Sequence, residues 1–409
     1  MTGTEAIGSA GQSWAWPVAR AAVAVTAVFA LSNSPTPLYV YWQRRMGFSS
    51  GTLAVIFAAY IAGLIVTLLV AGRAADRFGR KRVVVPGMMI ALISAGLFVA
   101  ARNVATLIAA RLLVGVAVGV VVSAGMAAVV DLGGDDRRGT TSMLASISMV
   151  FGAGLGPILG GAVSRATDHP VGWVFGVNVA LLVVAIAGYI GLPLDRPAGR
   201  LESGPLWPRL PAVPDRNRRH IAAGIGAFRP GLTATSFVLA LGPSLLVLAV
   251  GDTSPLLSGG AAGLMFLMAT GSQLMVTRLT VHRIFALRTT STVLAMLAVA
   301  ATVRTHSPVL FVVAALLAGA GQGLGQLGGL RLIAHHVPTA RRAEANAALN
   351  IGAYLPAGVL TVATGYLVSG IGMSNATMTL AVGGGRPAGG RGGVGGAPPA
   401  TGWASGGRG

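Results

Sequence analysis

Apolar runs, most of them about 20 residues long and separated by short polar clusters, recur along nearly the whole chain. A run of that length crosses a hydrocarbon core of about 30 Å as a helix. The pattern predicts helices at roughly 17-41, 51-71, 83-101, 104-130, 140-164, 171-193, 232-250, 256-277, 286-303, 308-331 and 343-369, with a twelfth starting near 374. Residues 194-231 interrupt it with six prolines and mixed charge, which marks a linker. The expected fold is an all-α membrane protein of two six-helix bundles, 17-193 and 232-382, joined by that linker. Residues 1-16 carry one charge, Glu5, without the basic start and cleavage site of a signal peptide. They are expected to be a cytoplasmic N-terminus ahead of a retained first helix.

The twelfth run fails early. It stops after about nine residues, a rise of only about 14 Å, so helix twelve is expected to be truncated. Residues 383-409 form a Gly/Arg-rich tail expected to be disordered. Its Gly, Arg, Pro and Ala vocabulary is what a GC-rich gene yields out of frame, and a frameshift replacing most of helix twelve is the expectation. The halves also echo each other. Leu112, Leu113, Gly115, Gly119 and Gly125 recur 204 positions later as Leu316, Leu317, Gly319, Gly323 and Gly329. Gly152, Ala153 and Leu155 recur 200 positions later as Gly352, Ala353 and Leu355. A two-fold repeat is a transporter plan with its site between the repeats, near mid-membrane.

Composition agrees: 54% of residues are hydrophobic and 10% charged, against about 25% charged in soluble domains. The formal charge of +19 would suggest nucleic acid if it were clustered on one face. Instead, twenty basic residues fall in the even-numbered loops and five in the odd-numbered ones. Positive loops stay cytoplasmic, so both termini are expected inside, in a multi-pass protein of the inner (cytoplasmic) membrane. Nucleic acid is not an expected partner; the lipid bilayer is. With no cysteine, disulfides and thiolate metal sites are excluded.

Between helices two and three lies Gly72-Arg73-Ala74-Ala75-Asp76-Arg77-Phe78-Gly79-Arg80-Lys81-Arg82. Gly72 permits close backbone approach, Gly79 can take the positive φ of a tight turn, and Asp76 opposes a cluster of cations. The stretch resembles the Gly-x-x-x-Asp-Arg-x-Gly-Arg-Arg/Lys signature of the major facilitator superfamily. That resemblance implies a gate built from Gly72, Asp76, Arg77, Gly79, Arg80 and Lys81, with Asp131 as further partner, holding the bundles closed on the inside. The equivalent loop of the second half, Arg278 to Arg288, lacks the pattern. In helix five, Gly152-Ala153-Gly154-Leu155-Gly156-Pro157-Ile158-Leu159-Gly160-Gly161 is similar to the family's Gly-x-x-x-Gly-Pro-x-x-Gly-Gly pattern, typical of exchangers that export their substrate. Gly152, Gly156 and Gly160 form a smooth groove for a neighbouring helix, Pro157 removes a ladder hydrogen bond, and Gly161 completes the motif.

Leu107, Arg111 and Gly115 resemble part of the family's Leu-x-x-x-Arg-x-x-Gln-Gly, with Val114 in place of Gln. Arg111 lies about 10 Å inside its helix, where a charge is costly unless it meets a partner or water. The resemblance implies a part in proton coupling, the alternative being an arginine snorkelling to the outer interface. None of the eleven acidic residues falls inside a predicted helix core, which counts against simple carboxylate-driven exchange.

Candidate substrate contacts are Asn33 and Thr36, which with the flanking Pro35 and Pro37 are expected to interrupt helix one and free backbone groups there; Gln322 and Gln326 on one face of helix ten; and Asn350 and Tyr354 on helix eleven. For each, a helix-to-helix hydrogen bond is the alternative. Without an acidic lining, a neutral, amphipathic or anionic solute is expected over a cation. Gly323 to Gly328 matches a dinucleotide fingerprint but lacks the preceding strand, and His335-His336 is not spaced for a metal. No cofactor, metal site or catalytic residue is expected. The reading is a monomeric alternating-access secondary transporter exporting a small molecule, with protons as a candidate counter-ion. The alternatives are an importer or facilitator, a non-transporting membrane receptor or enzyme, and an inactive frameshifted product.

Overall fold

The computed structural model describes residues 14-194, 217-250, 254-276, 278-337 and 342-371. Among the described residues, eleven helices are long and apolar enough to cross a membrane, and there is no strand. They are α1 (Ala15–Met46), α2 (Ser50–Leu68), α3 (Arg80–Val99), α4 (Val104–Asp131), α5 (Arg138–Ala166), α6 (Pro170–Ile190), α7 (Arg218–Val250), α8 (Pro255–Met275), α9 (Val281–Thr305), α10 (Pro308–His336) and α11 (Arg342–Ile371). The expected truncation of helix twelve and the Gly/Arg-rich tail lie outside the described residues, as does most of the linker.

Two departures from the sequence reading have local causes. Helix seven starts at Arg218, fourteen positions before its expected start. Ile221, Ile225 and Phe228, at i, i+4 and i+7, make a helical apolar stripe packed on α10 and α11, which the surrounding arginines and Pro230 obscured. Residues Ala71–Phe78, expected as a loop, form a short helix that buries Ala71 and Ala75. Helix one, as expected, is interrupted where Pro35 and Pro37 fall: its first segment ends at Asn33, a 3-10 turn covers Thr36–Leu38, and Tyr39–Met46 completes the span. Prolines lack the N–H that would continue the ladder.

Glycine crossings hold each half together, in matching places. A Cβ on Gly115 or Gly119 of α4 would strike α2, at the Tyr60 carbonyl and at Thr67. A Cβ on Gly319 or Gly323 of α10 would strike α8, at the Met265 and Ala269 carbonyls. Gly152 of α5 abuts α1 at Thr26 and Phe29, and Gly352 of α11 abuts α7 at Ile225. These repeated glycines therefore do the same packing in both halves, as small residues do where membrane helices approach closely. Gly323, Gly325 and Gly328, the fingerprint mimic, face α8, α7 and α9 in turn.

Between halves, α5 packs on α8 and α2 on α11. α7 is the most enclosed, with 78% of its apolar window buried, and α9 the least, with 22%. Ile93, Val184, Leu297 and Leu355 on the outward faces are exposed, the apolar band that a bilayer covers.

Candidate functional site

A cavity of about 370 Å³ lies between the two halves, within the usual size of small-molecule sites. Its first-half wall includes Phe29, Asn33, Phe57, Tyr60 and Arg111; the second half contributes Phe266, Thr270, Gln322, Asn350 and Tyr354. It extends past Leu68, Met126 and Leu330, towards the end that carries the arginine-rich loops. The opposite end is sealed. There Gly161 meets Pro255 and Leu256, Gly259 meets the Pro157 carbonyl, and Gly263 meets Ile158. On the other side of the seal, Gly51 lies under the Tyr366 ring and Gly365 against Ser50. Ser244 Oγ donates to Gln43 Oε1 at 3.1 Å across the halves. Beyond the seal is a separate crevice of about 570 Å³ lined by Tyr41, Arg44, Arg45, Ser164, Pro170 and Ser254 among others.

Arg111 is 2% exposed and lines the cavity, so it does not snorkel. Its Nε donates to the Tyr39 hydroxyl and its Nη1 to the Ser32 carbonyl at 2.6 Å. Carbonyls in the last turn of a helix lack an intrahelical partner, and Ser32 is in the last turn before the break in α1. The guanidinium also sits 5.2 Å from the Tyr39 ring and 5.7 Å from each of Phe57 and Tyr60, inside cation–π range. The break in α1 and the charge in α4 are thus one construction.

Five of the six expected substrate contacts, Asn33, Gln322, Gln326, Asn350 and Tyr354, line the cavity. Thr36 does not: it is 2% exposed, with its hydroxyl buried and unpartnered, because the 3-10 turn carries it into the bundle. Asn33 is tied to Phe29 O and Ser32 Oγ, and Gln273 Nε2 reaches Gln326 Oε1 at 3.5 Å. Sequence reading missed Tyr39, Phe57, Tyr60 and Thr270, which sit in apolar runs without motif context. It also missed the π-helical turn Val121–Gly125 in α4, which contains the lining residue Val122 and adjoins Met126; such bulges recur at functional sites.

The glycines of the helix-five motif serve two surfaces. Gly152, Gly156 and Gly160 receive α1 along Thr26, Ala30, Ser34 and Pro37, spanning its break. Gly154, Pro157 and Gly161 face α8 at the seal. At the arginine-rich end, Arg80 pairs with Asp76 at 2.9 Å and with Asp131 at 3.2 Å. Lys81 Nζ approaches the Leu192 carbonyl at 3.5 Å, and Arg77 lies over the Phe78 ring at 5.4 Å. Gly79 takes φ 94°, the positive value foreseen at the turn between the short helix and α3. A Cβ at Gly72 would meet nothing within 4 Å, so the close approach expected there is absent from this state. Asp76 and Asp131 are 68% and 45% exposed, and ion pairs that exposed contribute about 0–1 kcal/mol. We expect Asp131→Asn to lower transport several-fold while shifting stability by about 1 kcal/mol or less, read by flux and thermal unfolding of one preparation.

Comparison with known proteins gives a consistent picture. The family described as Major Facilitator Superfamily matches residues 21–361. The 3-(3-hydroxy-phenyl)propionate transporter of Escherichia coli (strain K12) is 36% identical over 132 residues, covering 31% of this chain and 32% of that protein. The multidrug resistance protein B homolog of Mycobacterium tuberculosis (strain CDC 1551 / Oshkosh) is 30% identical over 153 residues, 37% of this chain and 28% of that one. These alignments span about a third or less of either relative. The crystal structure of nucleoside transporter NupG superposes with a TM-score of 0.67 at 15% identity, over 90% of this chain and 96% of that one, a likeness of fold.

Proposed function

The chain belongs to the Major Facilitator Superfamily, and from that premise we propose that it is a secondary transporter exporting a small molecule by alternating access. The observation that carries the reading is the central cavity, extending towards one end of the molecule and sealed at the other by α5 on α8 and α2 on α11. By the positive-inside rule the arginine-rich end is cytoplasmic, so this is the inward-facing state, in which an exporter loads. Export is supported by the complete Gly152 to Gly161 motif, whose glycines pack the broken helix α1 on one side and the outer seal on the other. A single helix that touches both can pass a change at the site to the seal.

The arginine-rich loop supplies the inner gate. In the inward-facing state the ion pairs of Arg80 stay within the first half; their exposure makes them cheap to rearrange when the inner ends of the halves meet. Proton exchange is the proposed coupling. Among the described residues no carboxylate lines the cavity, and that observation favours a second reading, a facilitator or importer.

Proteoliposomes with an imposed pH gradient separate the two. An exchanger accumulates its solute against a concentration gradient in the direction set by protons. Flux that only runs downhill and ignores the pH gradient supports the facilitator instead. A susceptibility screen of a deletion strain supplies the solutes to test.

A further inference from the structure

The charge of the pathway is one-sided. Every charged residue lining the central cavity or the outer crevice, among the described residues, is an arginine: Arg111 within, Arg44 and Arg45 outside. Arg111 spends Nε and Nη1 on Tyr39 and Ser32, while its Nη2 makes no hydrogen bond among the described residues. A guanidinium that is 2% exposed, with no carboxylate partner and donors left over, is an incomplete ion pair. It is also pre-organised: two anchors and three rings fix its plane, so little entropy remains to be lost when an anion docks.

The facing wall belongs to the other half. There Gln322 Oε1 and Thr270 Oγ1 are buried without partners among the described residues, and leaving such groups unmet costs free energy that a ligand donor recovers. Between these two ends the lining is apolar and ring-bearing: Phe29, Phe57, Tyr60, Phe266 and Tyr354. A flat apolar body finds stacking surfaces there, including the edge of the guanidinium cluster itself.

We propose that the cavity takes an amphipathic organic monoanion, an aromatic carboxylate with a hydroxyl or amide at its far end. Arg111 anchors the carboxylate on the first half, while Gln322 and Thr270 meet the polar group on the second. Such a ligand touches both halves at once, and the arginines of the outer crevice keep an anion favoured along the path. The inference rests on the transport reading for its cargo, while the binding step stands by itself.

The test compares three ligands of one shape on the full-length protein in detergent by calorimetry: 6-hydroxy-2-naphthoate, the corresponding amide, and the corresponding methylammonium. The naphthoate is expected to bind about tenfold or more tightly than the amide, the worth of a charged hydrogen-bonded contact, and the cation not to compete. Arg111→Gln is expected to erase the preference for the anion, and Arg111→Lys to keep part of it. Gln322→Ala is expected to weaken the hydroxylated naphthoate but not 2-naphthoate. An arginine with a purely structural role would leave the ordering of the three ligands unchanged in Arg111→Gln. Equal or better binding of the amide or the cation by the unmodified protein overturns the proposal, whatever the variants do. Binding of the anion without flux in proteoliposomes leaves the site standing and refutes transport; flux of another solute without anion preference does the reverse.

Discussion

Oxidising a G154C/G263C pair is expected to stop transport completely, and reducing it to restore the rate of the unoxidised pair. The Cβ position at Gly154 lies 3.9 Å from the Gly263 Cα, which puts the two backbones within the range a disulfide spans, about 4.4–6.8 Å between Cα atoms. The bond would pin α5 to α8 at the seal, so the cavity could never open to the far side. Because the chain has no cysteine, no competing thiol needs removal and each single variant serves as its own control. A pair that cross-links fully yet transports at the normal rate would show that the seal does not part, and alternating access between these halves would have to be given up.

The second large effect is expected at Gly156. A Cβ there would run into the Ala30 carbonyl and come within 3.0 Å of the Ser34 amide nitrogen. Both are backbone, so a helix must shift rather than a side chain. Overpacking of this kind costs about 1–3 kcal/mol for one methyl group, and the shift would also displace Ser32, which holds Arg111. Gly156→Ala should therefore lower the unfolding temperature and most of the transport rate together, and Gly156→Val should leave no functional protein. Gly96 of α3 provides the contrast, with nothing within 4 Å of its Cβ position. There alanine should stabilise by up to about 1 kcal/mol through helix propensity and leave transport unchanged. Thermal unfolding of the three variants checks the set; equal shifts at Gly156 and Gly96 would contradict the packing account.

What could be read from the sequence depended on how local each cause is. Span length and the arginine distribution are properties of contiguous segments, and the spans came out within a few residues except where Pro230 and flanking arginines disguised the start of α7. The repeat was visible as echoed glycines because close helix crossings tolerate few other residues, and Gly115 and Gly319 do make equivalent crossings. The candidate site was half legible. Asn33, Gln322, Gln326, Asn350 and Tyr354 stood out as polar residues in apolar helices. Thr36 stood out for the same reason and was misplaced, since a 3-10 turn rotates side chains away from the 3.6-residue period. Arg111 was conspicuous, but its surroundings were not: Tyr39 is 72 positions away, and Phe57 and Tyr60 look like ordinary membrane residues until the helices are assembled. The proposed gate at Gly72 to Arg82 has the converse limit, because the contacts of a gate belong to more than one state.

On the proposed reading, the lone positive charge beside the break in α1 would also make the protein an electrical device. With the arginine-rich end taken as cytoplasmic, an empty site would hold one net positive charge, and a site filled by a monoanion none. A membrane potential, negative inside, acts with about 2.3 kcal/mol per elementary charge per 100 mV on whatever fraction of that charge crosses the field. On that reading it draws the carrier without its anion back towards the cytoplasm, with or without a returning proton, and leaves the loaded one almost indifferent, so the resting voltage of the cell would help to reset the cycle after each release.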